Sequence, residues 1–95
     1  MLIRQTLVFH EWFRKLKDTQ ARTIIGQRLV RLRNGLLGDA HSVGDGVSEL
    51  RIHYGPGYRV YFTIRGSDII FLLCGGNKTS QQSDIAEAKN LAKEL

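Results

Sequence analysis

Arg51 and His53 stand at alternate positions before a Gly55-Pro56-Gly57 break, and Arg59 and Tyr61 stand at alternate positions after it. Successive side chains of an extended strand leave opposite faces, so residues two apart share one face. If the two segments form a hairpin, these four groups converge. A three-residue turn at Gly55-Pro56-Gly57 sets Tyr54 opposite Tyr58, and then Glu49 meets Thr63, Arg51 meets Tyr61 and His53 meets Arg59. Leu50, Ile52, Tyr54, Tyr58, Val60, Phe62 and Ile64 fall on the other, core-facing side. Opposed Cβ atoms in such a pair are only ~5 Å apart. Concentrated cations with a single carboxylate, Glu49, at the far end of the patch suit an anion. A phosphodiester between Arg51 and Arg59 would gain charge-assisted bonds, and a base or ribose would rest on Tyr61. An imidazole set against Arg59 suits proton transfer near neutrality. Lys78 joins the group beside Gly75-Gly76, where backbone can approach a ligand closely. The same residues would also serve a solvated sheet face on which arginine stacks against tyrosine.

The elements that must hold these residues follow from periodicity. Strands are expected at about 47–54, 58–65 and 68–76, with a short extended segment at Leu2 to Thr6. The third is apolar at nearly every position, as a strand covered on both faces and central in its sheet should be. Phe9, Trp12, Phe13 and Leu16 at i, i+3, i+4, i+7 spacing predict one amphipathic helix. Asp18 caps a second, whose stripe is Ala21, Ile25, Leu29, Leu32 and Leu36, with Arg22, Arg28, Arg31 and Arg33 around it as a solvated face. Asn34-Gly35 ends that helix, and Gly38, Asp39, Gly44, Asp45 and Gly46 mark a loop. Thr79-Ser80-Gln81-Gln82 matches a capping box opening a last helix that buries Ile85, Ala88, Ala92 and Leu95. The order β-α-α-β-β-β-α predicts an α+β fold over residues 1–95: one domain with a small, mostly antiparallel four-stranded sheet packed against helices.

Composition narrows the function. The chain carries 14 Lys and Arg against 9 acidic residues, a net charge of +5. Residues 1–66 hold eleven basic and five acidic residues, whereas residues 67–95 hold three and four, so the excess belongs to the first two thirds. A basic domain of this kind fits a nucleic acid or an acidic protein partner. The lone Cys74 excludes an internal disulfide and a multi-thiolate zinc site, and lies in the apolar run Ile69 to Cys74, far short of the ~20 residues of a membrane span. His10, His41 and His53 lack paired ligand spacing, so no metal is expected. Gly75-Gly76-Asn77-Lys78-Thr79 lacks the leading glycine and Gly-Lys pair of a phosphate-binding P-loop. No nucleophile elbow or Cys/His pair stands out. These features predict a soluble intracellular protein without cofactor.

Phe9-His10-Glu11-Trp12-Phe13, Gly46 through Ile52, Gly55 through Phe62 and Gly75 through Gln81 together resemble the HigB-like, addiction-module-killer branch of the RelE/ParE toxins, nearly end to end. The resemblance implies a bacterial cytoplasmic toxin neutralised by a helix-turn-helix, HigA-like antitoxin. It also implies metal-independent cleavage of mRNA in the ribosomal A site, by attack of the ribose 2′-hydroxyl on the adjacent phosphate. On that pattern Arg59 holds the scissile phosphate, Arg51 activates the nucleophile or positions the backbone, His53 fills a second basic strand position and Lys78 binds the transition-state phosphate. Several members of that family carry a Tyr or His near the start of the last helix, where this chain has Gln81, Gln82 and Asp84. General acid work then falls to His53 or Tyr61, or cleavage is slow or lost. Arg28, Arg31, Arg65 and Gln81 are further candidates for RNA or partner contacts. Two other functions fit the same superfamily: a ParE-like, non-enzymatic inhibitor of DNA gyrase, and an inactive antitoxin-binding protein.

Overall fold

Hydrogen bonding along both sides of the apolar segment β5 (Ile69–Gly76) organises a five-stranded sheet in the computed structural model, which describes residues 1–95. β5 pairs in parallel with β1 (Leu2–Gln5) and antiparallel with β4 (Tyr58–Arg65). β4 then pairs with β3 (Val47–Ile52), and β3 with β2 (Ala40–Gly44), both antiparallel, giving the order β1-β5-β4-β3-β2. The expected four-stranded sheet is therefore five-stranded and mixed. The missing strand, β2, lies in the segment assigned to a loop from its glycines and aspartates. Its exposed edge position leaves no apolar alternation for a sequence reading to find. β5 is an interior strand, but β4 holds the middle of the sheet.

Helices cover both faces. α1 (Leu7–Arg14) and α2 (Thr19–Arg33) lie on one side, where Phe9, Ile25 and Leu32 join Leu50, Ile52, Val60, Phe62, Ile70 and Leu72 in the larger core. Thr6 caps α1 by accepting from the Phe9 amide, and Asp18 caps α2 by accepting from the Ala21 amide. Of the expected α2 stripe, Leu36 falls beyond the helix and is exposed. α3 (Gln81–Lys93) packs on the opposite side, where Ala88 and Ala92 close over Val47, Tyr61, Leu73 and Cys74. The capping box sits earlier than expected: Asn77 and Ser80 cap a single 3₁₀ turn, Lys78–Ser80, that leads into α3. Small alanines at these contacts leave room for α3 to lie close to the sheet. No helix is long and apolar enough to cross a membrane.

Candidate functional site

The β3–β4 hairpin has a longer turn than its Gly-Pro-Gly signature implies. Ile52 pairs with Tyr58, Arg51 with Arg59, Glu49 with Tyr61 and Val47 with Thr63, so residues 53–57 all lie in the connection. The expected register, with Arg51 opposite Tyr61 and His53 opposite Arg59, is displaced by two residues. A two-residue displacement preserves which side chains share a face, because strand faces alternate with period 2. It nevertheless changes every neighbour. The two arginines become direct cross-strand partners, and His53 leaves the strand.

Like charges at directly opposed positions repel unless a counter-charge lies between them. Glu49 supplies it. Expected at the edge of the patch, this carboxylate is 1% exposed and sits beneath both arginines. Arg51 Nε donates to Oε1 at 2.8 Å, and Arg59 Nε lies 3.4 Å from Oε2, within ion-pair distance but without hydrogen-bond alignment. Gln81 Nε2 and the Tyr61 hydroxyl donate to Oε2 at 2.9 and 3.2 Å. Burial pushes the Glu49 carboxyl up, but the bonds from Arg51 and Gln81 and the charges of Arg59 and Arg51 outweigh it, leaving the group below its ordinary value. Glu49 thus stays ionised and grips both guanidinium groups by their Nε edge. Arg59 Nη1 donates to the Gly57 carbonyl at 3.1 Å. Both Nη atoms of Arg51, Nη2 of Arg59 and the Lys78 ammonium make no hydrogen bond within the chain and are available to an acceptor.

Arg51, Ile52, His53, Gly57, Tyr58, Arg59 and Lys78 line a cleft of about 440 Å³ at the hairpin end of the sheet. Four of the five residues expected to carry the chemistry, Arg51, His53, Arg59 and Lys78, meet there. Tyr61 does not. It is fully buried under α3, its phenol bonded to Glu49, and burial with the adjacent Glu49 charge pushes its titration far above the usual tyrosine range. No base can rest on it and it cannot exchange a proton with a ligand in the cleft. The aromatic wall of the cleft is instead Tyr58, whose ring meets Trp12 edge-on at 6.3 Å. Trp12 reaches this place by lying on the backbone of Gly75, where a Cβ would come within 2.3 Å of the indole.

The secondary candidates serve the scaffold. Arg28 Nη1 donates to the Arg51 carbonyl at 3.1 Å and ties α2 to β3, rather than standing on a solvated face. Arg65 Nη2 donates to the Ala92 carbonyl at 2.7 Å near the end of α3. Gln81 braces Glu49, and Arg31 is exposed on α2, away from the cleft-lining set. Two residues beside the cleft, Asp39 and His41, stand out in the sequence only as a loop aspartate and a histidine without ligand spacing. The Asp39 carboxylate accepts from His41 Nε2 at 2.5 Å and, through its other oxygen, from His53 Nε2. Their separation along the chain hides the triad from any spacing rule, since only pairing of β2 with β3 brings residue 39 to residue 53. His53 therefore faces a carboxylate rather than Arg59.

The family profile described as phage derived protein Gp49-like (DUF891) matches residues 11–95. A protein of Haemophilus influenzae, described as uncharacterized, is 48% identical over 93 residues, covering 98% of this chain and 94% of its own. Among solved structures, a free-state mutant of the E. coli toxin RelE superposes with a TM-score of 0.69 at 14% identity, covering 99% of this chain and 96% of RelE. At that identity the likeness establishes the RelE fold.

Proposed function

From a chain that belongs to the phage-derived Gp49-like family, and that folds like the toxin RelE, we propose a toxin of a toxin–antitoxin module that cleaves mRNA on the ribosome. The observation that carries this reading is the convergence of Arg51, Arg59 and Lys78, with unused donors, on one cleft that His53 also lines. RNA supplies what these groups lack: a chain of anionic phosphates, and a 2′-hydroxyl beside each. In the proposed step the 2′-oxygen forms a bond to phosphorus while the bond from phosphorus to the 5′-oxygen breaks. This leaves a 2′,3′-cyclic phosphate and a 5′-hydroxyl end. Arg59, held from behind by Glu49, and Arg51 opposite it would bind the non-bridging oxygens, and Lys78 would meet the charge that develops on them. Donors fixed before the reaction stabilise such charge most effectively, because they need no reorganisation as it forms. With Tyr61 sealed away, His53 is the proton-transfer group of this proposal. The resemblance to the HigB-like branch supports a helix-turn-helix antitoxin as partner, and an acidic segment across Arg51, Arg59 and Lys78 would silence the site by charge complementarity.

Induction of the wild type without antitoxin, followed by mapping of transcript 5′ ends, should place cuts inside translated codons, and Arg59→Ala should abolish both cuts and growth arrest. Arrest with intact transcripts and broken DNA would replace this reading by gyrase inhibition. Normal growth with folded protein would leave only the antitoxin-binding role.

A further inference from the structure

Asp39 and His41, joined to His53 through the Asp39 carboxylate, are titratable side chains beside the cleft that the proposed reaction leaves without a task. Asp39 is placed by backbone bonding. Its carbonyl accepts from the Arg51 amide at 2.9 Å, which extends the β2–β3 ladder, and Arg28 holds the carbonyl of the same Arg51. Gly38, with φ +63°, turns the chain into this position beside Arg28 Nη2, where a Cβ would come within 2.7 Å. The carboxylate is therefore anchored to the strand that carries Arg51, while His53 projects from the connection and is 73% exposed.

A carboxylate accepts hydrogen bonds and cannot donate while ionised. The bonds from His53 and then His41 hold the Asp39 carboxyl below its ordinary range, so it is ionised at neutral pH. Each bonded Nε2 must then carry the hydrogen, and the lone pair of a neutral ring lies on Nδ1. A histidine in a connecting segment otherwise rotates and exchanges tautomers freely, which wastes most encounters with a hydroxyl.

We infer that Asp39 is the positioning residue of His53, fixing the ring so that Nδ1 is the proton acceptor of the site, with His41 as a second brace on the same carboxylate. This rests on the nuclease reading. In the step, the 2′-hydroxyl proton passes to His53 Nδ1 as the 2′-oxygen bonds to phosphorus, and the departing 5′-oxygen takes a proton from solvent water.

Because Asp39 acts through His53, the two should be non-additive. Cleavage of ribosome-bound mRNA is to be measured with purified full chain for wild type, Asp39→Ala, Asp39→Asn, His53→Ala, the Asp39→Ala/His53→Ala pair and Arg59→Ala, each checked by thermal melting. Asp39→Ala should slow the step about 10- to 100-fold at unchanged half-saturation, a share of the 10²–10⁴-fold that a positioned acid–base group supplies. Asp39→Asn preserves shape, but its amide accepts from one ring and donates to the other, which forces one histidine into the opposite tautomer. It should melt like wild type, and it loses rate if the inverted ring is His53 rather than His41. The double variant should be no slower than His53→Ala. Asp39→Ala and Asp39→Asn at wild-type rate, or a double variant slower than His53→Ala by the full Asp39→Ala factor, would overturn the inference while Arg59→Ala still marks an active nuclease. A wild type that leaves ribosome-bound mRNA intact would overturn both.

Discussion

Arg59 and Tyr61 stand two residues apart on the same face of β4, yet one lines an open cleft and the other is sealed in the core. The boundary between them is the N-terminal end of α3. Beyond it the sheet face carries Arg51 and Arg59, with Lys78 alongside in the turn entering the helix. Under it, Val47, Tyr61, Leu73 and Cys74 meet Ala88 and Ala92. Glu49 sits at the divide and serves both regions, holding the arginines on one side and the Tyr61 hydroxyl on the other. Face-sharing in a strand thus fixes direction only. Whether a polar side chain becomes a ligand or a support depends on how far a helix from elsewhere in the chain extends over it.

Loss of Glu49 should break the divide most severely. Removing one partner of a buried ion pair leaves the others uncompensated, so Glu49→Ala should cost about 3 kcal/mol in denaturant unfolding and disorder both arginines. The same group sets an acid limit. Its folded-state titration lies below the ordinary value of 4.5, so the stability it contributes is complete above that value. That stability is lost as pH falls through the folded-state value. Glu49→Gln should flatten this part of the stability–pH curve, and an unchanged acid limb would show that Glu49 is not its source.

Gly75→Ala tests the aromatic wall. Its Cβ would meet the Trp12 ring at 2.3–2.5 Å, so the indole and the Tyr58 ring against it must move. Such overpacking typically costs about 1–3 kcal/mol. Melting should fall, and the Trp12 fluorescence should report a changed environment. Equal stability would mean that the indole has another resting place.

Tyr61→Phe should have the smallest effect and sharpens the comparison most. It deletes one hydrogen bond to Glu49, worth about 1 kcal/mol. If Tyr61 is only a support, cleavage should stay within about twofold of wild type, against the 10²-fold or greater loss expected for an acid–base group. A loss of that larger size at unchanged folding would return the phenol to the reaction.

Much of the fold was legible. Phe9, Trp12 and Phe13 marked α1, although Leu16 lies beyond its end, Asp18 marked the start of α2, and alternation around Arg51 and Arg59 marked the hairpin and its faces. β2 escaped because an exposed edge strand needs no apolar alternation, and the hairpin register slipped because turn length is set by closure as well as by the Gly-Pro-Gly signature. Glu49 looks peripheral in the expected register for the same reason.

The residue types and their period, by themselves, determined which side chains share a sheet face and that this face is rich in cations. Alternation is a local property of the extended backbone and survives a two-residue displacement. Only the tertiary structure decided which of those side chains reach solvent, that Glu49 lies between the arginines, and that Asp39 meets both histidines. Those outcomes depend on where α3 ends and on how β2 docks against β3, distances that no local pattern encodes.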